Sequence, residues 1–430
     1  MQLKKRESVK FAITALTAAL IGSTTVYAAD QDQIESSLLI YSEKSRVSAA
    51  EGIVGISKHI RGDYLLGLRL TYDGLTGPSP NGATPSSKIQ TFTRPSGSGS
   101  YDTQVGKTPL DDTFKDTRFA VDASLGRPIG RMTQVSTGFH FSAEHDYSSL
   151  GFSAGLTHDL FQRNTTIGLS GSYSRDAINP EGGAPLGFSV MPLPSGDGGD
   201  DEHEGEDDGI SHAKDVFDAV VSVNQIVDPK TIVRMNYSFS HSSGYLTDPY
   251  KILSVVQDAN STAPGVPDHY VYEKRPTGRN KHAVFGEVRR YLGGHAIDLA
   301  YRYFWDDWGV SSHTADMFFT WQLKNGHAIQ PHVRWYTQSE ADFHRYFIVQ
   351  GAPLPENASA DSRLAKFDAV TLGLEYTLPF NEVTRLRLTG EYYTQMSDNS
   401  PPEAFGELRQ YDLFPKLDAF MLRAGFVRDF

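Results

Sequence analysis

The chain has 430 residues, 39% of them hydrophobic, with 21 Tyr, 24 Phe, no Cys and a formal net charge of −12. The acidic balance excludes a surface built for nucleic acid, which needs basic residues. The missing cysteine excludes disulfide staples, thiolate metal sites and thiol nucleophiles.

Residues 1–28 read as a secretory signal peptide. Lys4, Lys5 and Arg6 precede an apolar run from Phe11 to Ile21 that is too short to span a bilayer, and Val26-Tyr27-Ala28 supplies the small-x-small cleavage pattern. Residues 29–430 contain no apolar run of spanning-helix length. Entry into a membrane therefore requires a closed barrel, the other fold that satisfies its backbone within lipid.

The clearest periodic stretch is Ile297 to Leu323. Ile297, Leu299, Tyr301, Tyr303 and Trp305 alternate with Asp298, Ala300, Arg302 and Phe304, and the alternation resumes after Asp306-Asp307-Trp308-Gly309. A period of two marks extended strands with one apolar face. Segments of this kind recur in chain order. They are Gln33–Glu43, Ala49–His59, Tyr64–Tyr72, Phe114–Leu125, Thr133–Ser142, Tyr147–Asp159, Thr165–Arg175 and Val216–Ile226. Thr231–His241, His282–Leu292, Ala296–Trp305, Thr314–Leu323, Ala328–Thr337, Phe367–Leu378, Arg385–Tyr393 and Phe420–Phe430 complete the set. Short connections, including the Asn325-Gly326 hairpin signal, tend to alternate with long insertions at 73–113, 176–213, 242–281, 338–365 and 394–418.

This rhythm predicts an all-β chain: one transmembrane antiparallel β-barrel domain of about 16 strands, with 14 as the alternative. Its short turns would be periplasmic and its long loops extracellular, in the outer membrane of a Gram-negative bacterium. The terminal Phe430 closes an alternating strand, like the signal read by the outer-membrane assembly machinery, although Arg428 stands where that pattern has an apolar residue. Outer-membrane lipid and that machinery are the expected partners.

Alternation places Arg69, Arg118, Asp122, Arg234, Asp298, Arg302, Asp316, Arg334, Glu375, Arg385, Arg387 and Glu391 opposite the apolar face, with His140, Asp218 and His332. Facing lipid, a charge costs up to about 2–4 kcal/mol at mid-bilayer; facing a lumen, it is hydrated or paired. Such residues either select solutes by charge or brace the wall as a mixed-sign ladder.

Asp200, Asp201, His203, Glu204, Glu206, Asp207 and Asp208 form an acidic run whose oxygen ligands suit a divalent cation. The run lacks the spacing of a calcium-binding hand, and a solvated loop is the competing reading. No other cofactor is expected. Catalytic patterns are weak. Gly151-Phe152-Ser153-Ala154-Gly155 fits a hydrolase elbow but lies inside a strand pattern, without the turn into a helix that the elbow requires. Asp306 and Asp307 near His313 give a single acid–histidine pair, so no enzyme is expected.

Several segments together resemble a known family. They are Asp73-Gly74-Leu75-Thr76-Gly77 with Ser79-Pro80-Asn81-Gly82-Ala83, Pro109-Leu110-Asp111-Asp112-Thr113-Phe114, and Gly244-Tyr245-Leu246-Thr247-Asp248-Pro249-Tyr250-Lys251. Tyr301 through Gly309 with Ser312-His313-Thr314, Ala341-Asp342-Phe343-His344 and Ser362-Arg363-Leu364-Ala365 follow in order. Across nearly the whole mature chain this pattern is similar to the bacterial domain-of-unknown-function family 3570. The resemblance implies an exported outer-membrane-type barrel with no assigned catalytic residues. Family genes often lie near flavin-attaching enzymes and small lipoproteins, which implies an envelope lipoprotein or redox partner. The expected function is a channel, transport or envelope-scaffold barrel. The alternative is a barrel that binds a ligand, metal or redox partner through its extracellular loops, and an outer-membrane hydrolase is the third reading.

Overall fold

The alternating segments become the staves of a ring. The structure, a computed structural model, describes residues 32–60, 63–93, 99–111, 115–180, 183–192, 212–398 and 400–430; the signal-peptide reading lies outside them. The first staves are β1 (Gln33–Glu43), β2 (Ser48–Ile60), β3 (Tyr64–Thr76) and β4 (Lys115–Ile129). Next come β5 (Thr133–Ala143), β6 (Tyr147–Leu160), β7 (Thr165–Ile178) and β8 (His212–Asp228). They continue as β9 (Thr231–Gly244), β10 (Gly278–Tyr291), β11 (His295–Asp306) and β12 (Ser311–Gln322). The last four are β13 (Ala328–Gln338), β14 (Phe367–Asn381), β15 (Thr384–Met396) and β16 (Leu417–Asp429).

Each strand pairs antiparallel with its sequence neighbours, and β1 pairs with both β2 and β16, from Gln33 against Asp429 to Glu43 against Ala419. The result is a closed barrel of 16 strands. Among the described residues no helix is long and apolar enough to cross a membrane.

Alternation sorts the two faces. Leu38, Ile40, Val54, Ile56, Leu66, Leu68 and Leu70 lie exposed on the outside of β1–β3. Their alternating neighbours Glu35, Glu51 and Arg69 turn to the interior. The register makes this sorting strict, because a slip of one residue would put every charge into the apolar belt.

Several strands run farther towards the long loops than the sequence pattern suggests. β3 continues to Thr76, and Asp73 and Leu75 keep the inward phase opposite Arg118 and Asp116. The Gly and Thr residues there read as a turn, yet the ladder holds because β4 offers a partner for every residue up to Lys115. Three connections at this rim are short, at 44–47, 144–146 and 307–310. The β12–β13 ladder is interrupted between the Phe318–His332 and Trp321–Ile329 pairs, where Pro331 has no N–H to donate.

The opposite rim carries tight turns. Asn325 and Gly326 both take positive φ, as their hairpin signal requires. The β6–β7 turn is less orthodox: Phe161, Gln162 and Arg163 take φ of 48°, 60° and 68° without a glycine. A left-handed conformation costs a non-glycine residue about 1–2 kcal/mol. Gln162→Gly is therefore expected to stabilise the barrel by up to about 1 kcal/mol, and Gln162→Val to destabilise it. Urea-unfolding midpoints in detergent check the order; equal midpoints would contradict it.

Candidate functional site

A ring of 16 strands is too wide for its own side chains to fill, so such barrels enclose an aqueous channel. What lines and closes that space is the candidate site.

The lining is a belt of mixed sign. Arg69 meets Glu35 at 3.2 Å, and Arg118 reaches Asp73 at 2.7 Å and Glu51 at 3.7 Å. Asp122 meets His140 at 2.7 Å, Arg234 meets Glu287 at 3.4 Å, and Asp298 pairs with Arg289. His332 bridges Asp316 at 3.0 Å and Glu391 at 2.8 Å, while Arg334 also holds Asp316 at 2.7 Å. Gly373 of β14 makes that bridge possible, because a Cβ there would lie 2.9 Å from the Glu391 carboxylate. Glu375 accepts from Thr389 at 3.1 Å, and Arg385 meets Asp429 at 3.0 Å. Arg302 lies over Phe285, and Arg387 makes no ion pair among the described residues. All twelve lumen-side residues named from the sequence lie on the face opposite the apolar belt, and most are paired. Beside His140, Asp218 and Arg234, the β5–β9 sector of the lining also carries small hydroxylated residues, Ser136, Ser153, Ser170, Ser172, Ser222 and Ser238.

Exposure changes along the axis. Arg69 and Asp122, at mid-height, are each 47% exposed within the ring, whereas Glu51 and Asp73 nearer the long loops are only 9% and 8% exposed. In that sector of β3 and β4 the lining is therefore open at mid-height and covered at the loop end, whereas on β12 and β13 Asp316 and His332, at the same height, are packed to 12% and 8% exposure.

The cover is made by the long loops, which share their own core. In loop 245–277 the segment Ile252–Val256 is a fully buried strand, pairing with Pro267–Tyr272 and, in parallel, with Ile348–Val349 of loop 339–366. Leu253, Val255, Val271, Ile348 and Ala358 form one cluster; Val256, Phe347, Ala404, Leu408 and Leu413 form another that draws in loop 397–416. Ala83, Phe92, Met191 and Ile252 tie in segments 77–93 and 183–192 of the connections that follow β3 and β7. Each Val, Leu, Ile, Phe or Met among them contributes about 1.5–3 kcal/mol by leaving water.

Loop 245–277 leaves the wall between β9 and β10. Its Tyr250 nevertheless packs against Val47, Ala49 and Leu75 at the tops of β2 and β3, and its hydroxyl donates to Asp146 in the β5–β6 connection. In the ring order β2–β3 lies seven strands away, nearly half the circumference. The loop therefore crosses the mouth. Lys251 and Ile252 bond the carbonyls of Pro80 and Asn81 on the way.

A buried ionic cluster pins the crossing. Glu273, with no exposed surface, accepts from the Asp248 backbone N–H at 2.6 Å, from Arg275 Nη2 at 3.1 Å and from the Ser359 hydroxyl. Arg275 also reaches Asp361 at 2.8 Å, and Arg363 clamps Asp361 and Asp248, the latter at 2.8 Å. With Lys251 the cluster holds three cations against three carboxylates. Burial pushes Glu273 up to about 7, against the pull of Arg275. Burial also opposes ionisation of Asp361, but Arg363 and Arg275 outweigh it and hold that carboxyl well below its ordinary range. His344, buried beside this cluster, is lowered by desolvation to about 4. A cavity of about 30 Å³ beside Lys251, lined by Gly82, Thr108, Asp361, Ser362 and Asp412, has room for a water and not for an organic solute.

The remaining sequence candidates do not assemble. The acidic run Asp200 to Asp208 lies outside the described residues, and no group of three or more metal-ligating side chains occurs among those described. Asp306 faces inward on Arg279 and the Trp308 backbone, while His313 faces outward on Tyr301, so the two cannot share a reaction centre. Ser153 sits mid-strand against Gly138, away from any turn. Glu273, Arg275 and Tyr250 carry the cap but stand in no catalytic spacing, so sequence reading passes over them.

Arg275→Met should loosen the cap by about 3–5 kcal/mol, since it strips a cation from two buried carboxylates. Loss of hydrogen-exchange protection at Ile252–Val256, with β1–β16 unchanged, is the expected readout; unaltered protection would contradict it. Acid should act through His344. Its folded value of about 4 lies below its ordinary 6.5, so its contribution is full above pH 6.5 and is lost as pH falls from there through 4. The loss amounts to about 3 kcal/mol. Glu273 acts with opposite sign between about 4.5 and 7, so the effect is read as the difference between the native protein and His344→Asn. Proteolysis of loop 339–366 should rise on acidification in the native protein and less in that variant.

The fold is similar to that of a bacterial polysaccharide outer membrane secretin, at 7% identity over 93% of this chain and 98% of that one, with a TM-score of 0.47. A ferric enterobactin receptor from Pseudomonas aeruginosa matches at 10% identity over 91% of this chain and 60% of its own, TM-score 0.43. A mutant of the TodX monoaromatic hydrocarbon channel matches at 10% identity over 96% and 94%, TM-score 0.42. This chain thus spans about three fifths of the receptor's length. No curated protein is similar to it. The model of the family "Protein of unknown function (DUF3570)" matches residues 8–427, and the chain, an outer-membrane-type β-barrel, belongs to that family.

Proposed function

We propose that the protein is a gated barrel of the Gram-negative outer membrane, with a water-filled lumen for small polar solutes held shut on its outer side. The apolar belt on the outside of the ring supports the membrane placement, with outer-membrane lipid and the assembly machinery as partners. The crossing of loop 245–277 from β9–β10 to β2–β3 supports the gate more than any other feature. The mixed-sign belt, paired rather than ringed by one charge, supports bracing of the wall over strong charge selection. Serine hydroxyls along β5–β9 suit uncharged or zwitterionic polar solutes, which hydrogen-bond without being trapped. A redox or lipoprotein partner would meet the cap or the periplasmic turns, and nothing in the cap's own small cavity accommodates an organic ligand.

In planar bilayers the full chain should give no steady conductance. A variant with residues 249–272 replaced by a short Gly-Ser connector should open a persistent channel. Steady conductance of the intact chain at the variant's level would overturn the gate, and a silent but inserted variant would overturn the hollow lumen.

A further inference from the structure

The outer face of β9–β12 near the loop-side rim carries a stack that the lumen and cap do not use. His282 lies against Trp305 with ring centroids 5.1 Å apart and planes 10° from parallel. Trp305 follows Tyr303 at 5.4 Å, and Tyr303 meets His313 at 4.9 Å. The stack spans three strands, with a histidine at each end.

Both imidazoles are fixed in the same way. Nδ1 of His282 lies 2.8 Å from the Tyr237 hydroxyl, and Nδ1 of His313 lies 2.6 Å from the Tyr301 hydroxyl. A hydroxyl that donates to Nδ1 places the proton of a neutral ring on Nε2, leaving Nε2–H as its remaining donor. No Lys or Arg faces outward beside the stack on these strands; Arg290 lies at the opposite rim. Below the stack Val284, Leu299 and Met317 are exposed and apolar. With the tyrosine hydroxyls as donors, each imidazole offers one N–H at the height of an aromatic girdle, above an apolar outward surface, an arrangement that matches an amphiphile with phosphates above acyl chains.

We infer that this face is a contact site for phosphorylated lipid headgroups of the outer leaflet. The inference rests on the membrane placement given under Proposed function. The tyrosines set the tautomer, the imidazoles donate to phosphate oxygens, and the strand surface below takes the chains.

Native mass spectrometry of the full chain in detergent, with a bisphosphorylated glycolipid and its dephosphorylated form as probes, tests this. The native protein should retain the phosphorylated lipid about tenfold better, from two added hydrogen bonds. The double variant His282→Ala/His313→Ala should lose that preference. His282→Gln/His313→Gln, which keeps an N–H donor at each position, should retain most of it. His327→Ala, removing a similar Tyr376-bound imidazole at the opposite rim, should leave it intact. Equal retention of both lipids by the native protein, or a preference surviving the double alanine variant, would overturn the inference. A chain that stays soluble and monomeric without detergent would instead overturn the membrane placement itself.

Discussion

Everything in this molecule depends on the seam between its first and last strands. Lipid offers no hydrogen bonds, so an open sheet would leave two rows of unpaired backbone groups, each costing several kcal/mol. The pairing of Gln33–Glu43 with Leu417–Asp429 removes both edges at once. It also fixes the strand number, and through that the width of the interior. A narrower ring would be filled by its own side chains; a ring of 16 strands is too wide for that.

Width explains the two-layered construction. The wall is held by ladder hydrogen bonds and braced inside by pairs such as Arg118 with Asp73 and His332 with Asp316 and Glu391. Those pairs fix the lining and, in the proposed reading, leave the middle to water. Closure therefore falls to the loops, which carry what the wall lacks: a core of Leu253, Val256, Phe92 and Leu408 with almost no exposed surface. The cluster around Glu273 and Asp361 gives that core a single arrangement, because any other packing would strand a buried charge. Wall and cap thus rest on different forces and need not open together.

Much of the wall was legible in the sequence and little of the cap. Strand alternation such as Ile297 to Trp305 against Asp298 to Phe304 is a local signal, and the ring honours it. The β6–β7 turn reads from the sequence between Leu160 and Asn164, but its three left-handed residues carry no Gly or Asn to announce them. Ile252–Val256 escaped because a strand buried on both faces has no alternation, and it lies inside what reads as one long loop. The ionic cluster escaped for a different reason: Asp248 and Arg363 are 115 residues apart, and no spacing rule joins them. The segments that carry the family resemblance do meet here. Asn81, Asp248, Lys251 and Arg363 are bonded across three loops, a convergence that only the tertiary structure displays.

The central claim is that a hollow lumen lies behind a sealed outer mouth, and the absence of cysteine makes it directly testable. The measurement is labelling of single-cysteine variants in intact cells with a membrane-impermeant maleimide. Leu354→Cys, on the exposed surface of loop 339–366, should label readily. Asp122→Cys, in the lumen below the cap, should stay unlabelled until the outer membrane is permeabilised and the reagent enters from the periplasmic end. Equal labelling of the two positions in intact cells would mean the mouth is open, and the account of the cap as a seal would fail.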